Sequence, residues 1–184
     1  MKKFLIVAFL GLLAACNSNE PAKVDSMKSG SDSATTNQDV TYPYQIQYSS
    51  KFEIGDAQQA KMILDVWKDW DNGNLANHKE NFADSLEMHF ADGSMMHSSR
   101  DSVLATGQSY RNMYASSVSR VDAVVPLKSI DKNENWVCVW GMETDTDKKG
   151  KVDSFYLQET WRFNKAGKTD LLYQFRAAGT PPKK

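Results

Sequence analysis

Residues 155–163 read FYLQETWRF, and the alternation in that stretch restricts the chain more than any other feature. Side chains two positions apart point to the same side of an extended strand. Phe155, Leu157, Glu159, Trp161 and Phe163 therefore share one face, while Tyr156, Gln158, Thr160 and Arg162 share the other. The first set is a core face in all but Glu159, the pattern of a strand that packs on one side only. Comparable runs lie at 120–130, 135–145 and 170–178, joined by DKNE, TDKKGK and KAGK. These joints are short and polar, so the four runs are predicted to form an antiparallel meander.

The upstream half carries a different period. DAQQAKMILDVWKDWDNG at 56–73 opens on Asp56, a good helix cap, and closes on Asn72-Gly73, a helix stop. Ala60, Ile63, Leu64 and Trp67 fall on one side of that helix. A second, shorter helix is predicted over 74–83, NLANHKENFA, with Leu75 and Phe82 inward. SLEMHF alternates as a strand, and ADGS is a tight turn returning the chain into SMMH. A third helix is predicted over 98–117, with Val103, Leu104, Tyr110 and Tyr114 toward the core. Helices followed by a strand meander give an α+β domain, with the helices gathered on one face of the sheet.

Two blocks carry a family resemblance: VWKDWDNGNLANHKENFADSLEMHFADGS at 66–94 and ETWRFNKAGKTDLLYQF at 159–175. The first resembles the helix, Asp-x-Gly break, second helix and strand entry of the NTF2-like superfamily, SnoaL-like group. The second resembles that group's penultimate strand, glycine turn and last strand. The resemblance spans residues 56–178 and implies three N-terminal helices wrapped by a curved, mainly antiparallel sheet, a cone whose open end is a pocket. It also implies a homodimer through the outer sheet face. Fold alone does not assign an activity.

The front of the chain is read separately. Met1-Lys2-Lys3 precedes the apolar run FLIVAFLGLLAA and then Cys16. The run is shorter than the ~20 residues a membrane-crossing helix needs, so residues 1–15 have the layout of a cleaved signal peptide. Leu13-Ala14-Ala15-Cys16 resembles the bacterial lipobox, which implies acylation of Cys16 and a lipid-anchored protein of the cell envelope, on the periplasmic or surface side of a membrane. Residues 16–41 are rich in Ser, Asn, Asp and Thr and too poor in apolar residues to order themselves, so they are expected to tether the domain at 42–184. Cys138 is then the one thiol left, either a small buried filler or a reactive group.

Charge excludes one class of partner. With 22 Lys and Arg against 23 Asp and Glu, and no basic face, nucleic acid is not expected. His78, His89 and His97 match no metal-ligand spacing, and no phosphate loop is present, so no metal or cofactor is expected. Five Trp, seven Tyr and eight Phe supply the lining for a cavity or a core. Trp67, Tyr110, Tyr114, Trp136, Trp140 and Trp161 are nominated to line a hollow that takes a small apolar or aromatic molecule. For Trp136 and Trp140 this supposes that they face the interior with Cys138 and Met142, leaving Val137 and Val139 outside. Glu159, among aromatics, is the one candidate catalytic acid or base; the alternatives are a structural group that pairs with an Arg or accepts Tyr and Trp hydrogen bonds, and a rim position in water. Three functions stay open: a tethered binding module, an acid–base enzyme of isomerase, dehydratase or cyclase type using Glu159, and a non-catalytic interaction domain.

Overall fold

In the computed structural model, which describes residues 41–178, the elements run β1 (Phe52–Ile54), α1 (Ala57–Asn72), a 3-10 turn (Lys79–Asn81), β2 (Phe82–His89), β3 (Met95–Ser99), α2 (Arg100–Arg111), β4 (Tyr114–Ser129), β5 (Glu134–Asp147), β6 (Val152–Phe163) and β7 (Thr169–Ala178). One sheet of seven strands holds them in the order β1-β4-β5-β6-β7-β2-β3. Only the β2–β7 pairing is parallel; the others are antiparallel. The expected α+β class and mainly antiparallel sheet are therefore present.

Local chemistry accounts for the ends of α1. The Asp56 carboxylate accepts from the Gln58 amide at 2.8 Å, satisfying one of the free donors of the first turn. At the other end Gly73 adopts φ 69°. Its amide donates to the Trp70 carbonyl and the Asn74 amide to the Asp69 carbonyl, a left-handed closure that favours glycine. Arg111, from the last turn of α2, donates to the Trp70 carbonyl at 2.6 Å and the Asp71 carbonyl at 2.9 Å. A guanidinium fork thus takes up carbonyls that α1 cannot bond itself.

The second predicted helix does not form; two α-helices and one 3-10 turn stand where three helices were expected. Residues 74–81 wind around Asp69, which is buried. Its carboxylate accepts from the Asn77 amide group at 3.1 Å, the His78 backbone at 3.1 Å and the His78 ring at 2.8 Å. Asn77, Lys79 and Asn81 each close a three-residue bond to the chain before them. Short polar side chains that bond locally compete with a helical ladder, and here they win. The third predicted helix is also shorter. It ends at Arg111, and Tyr114 opens β4, paired with Asp147.

Both helices lie on one face of the sheet, where Ile63, Trp67, Leu86, Val103, Val137, Val139, Phe155, Leu157, Trp161 and Leu172 form a single apolar cluster. The β4–β5 pairing slips between Tyr114 and Ser116 and again between Val121 and Ala123. Such irregularities bend long strands. At the second slip, a Cβ on Gly141 would fall 2.1 Å from the Arg120 carbonyl oxygen, so only glycine fits there.

The β5–β6 register reverses one expectation. Val137 faces Trp161 and Val139 faces Glu159, whereas Trp136, Cys138, Trp140 and Met142 face Arg162, Thr160, Gln158 and Tyr156. Val137 and Val139 are fully buried in the core, and the tryptophans of β5 stand on the outer face. Strand β5 is apolar on both sides, so its own pattern does not choose a side. Strand β6 has one clear core face, and pairing with it decides.

Candidate functional site

Two groups of buried acids sit on the inner face. Glu159 is 6% exposed. Its Oε2 accepts from the Trp67 indole at 2.7 Å and the Trp161 indole at 3.0 Å, and its Oε1 accepts from the Gln174 amide at 3.0 Å. Burial pushes its pKa up, and the three donors pull it back. Strands β6 and β7 and helix α1 each contribute a donor, so this carboxylate ties three elements together.

The second group lies further along β5. Glu143 and Asp145, two residues apart, share the inner face and are both buried. Ser117 on β4 donates to Asp145 at 2.6 Å and is 3.1 Å from Glu143, while the Trp70 indole donates to Glu143 at 2.7 Å. Burial is the largest cause that raises the Glu143 pKa to about 8, and the neighbouring Asp145 charge adds to it. Burial, and after it the Asp145 charge, raise the pKa of Tyr114. The Arg176 guanidinium covers the Phe155 ring at 3.3 Å from its centre.

The outer face is open. Trp140, Tyr156, Gln158, Phe175 and Ala177 line a trough of about 450 Å³. Trp140 is 42% and Phe175 58% exposed. A second hollow of about 190 Å³ adjoins it through Phe175 and is lined by His89, Phe90, Gly93 and Tyr173. There the His89 ring stacks on Tyr173 with 4.8 Å between centres, and its Nε2 lies 2.6 Å from Glu87.

The six nominated aromatics do not assemble. Trp67 and Trp161 meet at Glu159 in the core. Tyr110 is 59% exposed on α2, and Tyr114 begins β4 beside Asp145. Trp136 is covered on the outer face by Tyr48, edge-on at 5.7 Å, whose hydroxyl accepts from its indole at 3.0 Å. Trp140 alone lines the trough. Cys138 is half-buried on the outer face, 3.7 Å from the Thr160 hydroxyl. Cys16 lies outside the described residues.

Glu143, Asp145, Ser117, Tyr156, Phe175 and His89 were not nominated. Glu143 and Asp145 continue the Val137–Val139 face by period two, so placing that face outward hid them. Among the described residues, no group of three His, Cys, Asp or Glu side chains is set to hold a metal, and no helix is long and apolar enough to cross a membrane.

No protein-family model matches the chain, and no curated protein matches it significantly. Solved structures do. AclR, a proposed hydroxylase from Streptomyces galilaeus, superposes with a TM-score of 0.52 at 15% identity, over 66% of this chain and 80% of its own. IdmH, a proposed polyketide cyclase from Streptomyces antibioticus, gives 0.51 at 14% identity, over 65% of this chain and 91% of its own. An NTF2-like protein of unknown function from Exiguobacterium sp. 255-15 gives 0.51 at 14% identity, over 66% of this chain and 98% of its own. At such identities the likeness is one of fold.

Proposed function

Since the domain has the NTF2-like fold, we propose that it is a binding module for a small, flat, apolar or aromatic molecule held on the outer face of its sheet. The observation that carries this reading is the trough of about 450 Å³ under Trp140, Tyr156 and Phe175. Exposed apolar surface costs roughly 25 cal/mol per Å², so a ligand that covers these rings recovers part of that cost. The volume falls in the range of small-molecule sites. The inner side is occupied by the apolar cluster and by Glu159 with its donors.

Amide-detected NMR titration with naphthalene, a neutral flat probe, tests this. Shifts centred on residues 140, 156 and 175 are expected, with Trp140→Ala and Phe175→Ala each weakening binding about ten-fold. Shifts centred on Trp67 and Trp161, or none, overturn it. A second copy of the chain is the competing occupant: sedimentation equilibrium that gives a dimer broken by Trp140→Ala, with no naphthalene binding, favours the interaction domain instead.

Acid–base catalysis is the second reading, supported by the names of the similar cyclase and hydroxylase and by Glu143. Glu159 has both oxygens engaged by three protein donors. Glu143, which keeps its proton to about pH 8, suits the role of general acid. Turnover of a candidate substrate that survives Glu143→Gln unchanged removes that assignment. For either reading, acyl chains on Cys16 are the proposed means of holding the domain at a membrane.

A further inference from the structure

The two outer hollows share Phe175 but differ in chemistry. The larger offers rings with Gln158 among them; the smaller adds an imidazole whose position is set on two sides. Tyr173 supports one face of the His89 ring, stacked at an interplanar angle of 30°. Glu87, two residues earlier on the same strand face, holds Nε2 at 2.6 Å. A carboxylate oxygen accepts, so Nε2 is the nitrogen that donates. In the neutral ring Nδ1 then carries the free lone pair and is the acceptor that remains. The other histidine on this face, His97, is engaged by the Ser85 hydroxyl at 3.2 Å. The β2–β3 turn closes the hollow with Phe90 and Gly93, the latter at φ 83° and with nothing within 4 Å of where a Cβ would stand.

We infer that this hollow is the polar end of the outer groove and selects ligands of the hydroxylated aromatic class, with His89 accepting the ligand's hydroxyl proton in a hydrogen bond and Glu87 fixing the tautomer that can do so. The inference rests on the groove proposed above and specifies what it takes. A phenolic ring fits both halves: its flat body lies along Phe175, and its hydroxyl points to the histidine. Glu87 acts through His89 and is a positioning residue.

A matched pair of probes separates this claim from the groove itself. Naphthalene and 2-naphthol differ by one hydroxyl, and the hydroxyl makes 2-naphthol the more water-loving. A groove without a polar anchor therefore binds naphthalene at least as tightly. Dissociation constants from NMR titration are expected to favour 2-naphthol about five-fold in the native protein, the weight of one ordinary hydrogen bond. His89→Phe keeps a flat ring on Tyr173 and removes the acceptor. It is expected still to bind naphthalene, which serves as its folding control, while its preference for 2-naphthol falls to one or below. Glu87→Ala, the second variant, is expected to lower the preference while naphthalene still binds. A native protein that binds naphthalene without preferring 2-naphthol overturns the inference and leaves the groove standing. So does a preference that persists in His89→Phe. Absence of binding by both probes overturns the groove and this inference together.

Discussion

Glu143 and Glu159 are both glutamates on the inner face, yet their neighbours give them different work. Glu159 meets donors only: two indoles and an amide, with no cation. Removing its acceptors strands two buried indole donors, each worth roughly 1–3 kcal/mol, and one half-buried amide. Glu159→Leu is therefore expected to destabilise the domain by about 3 kcal/mol or more, and Glu159→Gln by less, because its amide oxygen still accepts. Urea denaturation compares the two, and equal losses would mean that the indole bonds carry little. Glu143 instead faces a second acid. Its folded pKa of about 8 stands above its ordinary value of 4.5, so the native state keeps a proton that the unfolded state has released. Its contribution is fully present below about pH 4.5 and is lost as pH rises toward 8, with a slope of at most roughly 1.4 kcal/mol per pH unit. Glu143→Gln cannot titrate. Its urea midpoint is expected to change less than the native one between pH 5 and pH 8, and parallel profiles would sink the assignment.

At the scale of elements, polar side chains of α2 tie it to the end of α1: Gln108 donates to the Gly73 carbonyl at 3.0 Å, and Arg111 reaches further back. Arg111 is 7% exposed, and its guanidinium reaches two carbonyls of the α1 end. Arg111→Met keeps length and loses both charge-assisted bonds, an expected cost of about 3 kcal/mol in denaturant unfolding. Arg111→Lys keeps the charge but not the fork, and is expected to fall between. The β4–β5 pair depends on Gly141 in a stricter way. Backbone, not a movable side chain, occupies the place of a Cβ there. Gly141→Ala must displace the strand crossing at Val121, so a loss of several kcal/mol or failure to fold is expected. Gly107→Ala meets only the end of the Leu75 side chain and is expected to cost much less. Comparable stability losses in the two variants would contradict this contrast.

The whole molecule divides its aromatic residues between two faces of one sheet, and the division separates stability from recognition. The inner face joins helices to strands through apolar contacts and through Glu159. The outer face leaves Trp140 and Phe175 to solvent over an open trough. Substitutions on the two sides should accordingly differ in kind. Trp161→Ala is expected to lower stability by about 3–5 kcal/mol, as large core truncations do, whereas Trp140→Ala is expected to alter it by less than about 1 kcal/mol and to weaken probe binding. Measured unfolding and naphthalene affinity for both variants check the pair; a large stability loss in Trp140→Ala would show that its ring belongs to the packing. The proposed anchor is tested on the full chain made in bacteria. The native protein is expected to partition into a detergent phase and Cys16→Ser into the aqueous phase, while equal partitioning argues against acylation.

Several of these features can be read from residues alone. Strand β6 announces its core face because polar and apolar positions do not mix along it, apart from one acid. Asp56 and Asn72-Gly73 bracket α1 because caps are local chemistry, and Asp92-Gly93 marks the β2–β3 turn for the same reason. Other features depend on partners distant in the chain. Strand β5 is apolar on both sides, so only its register against β6 sends Val137 and Val139 inward and the tryptophans outward. Residues 74–81 have helical spacing, but the buried carboxylate of Asp69 draws them into turns. Local pattern carries information where a residue's two possible environments differ sharply in cost; where the two sides cost nearly the same, the neighbouring strand makes the choice.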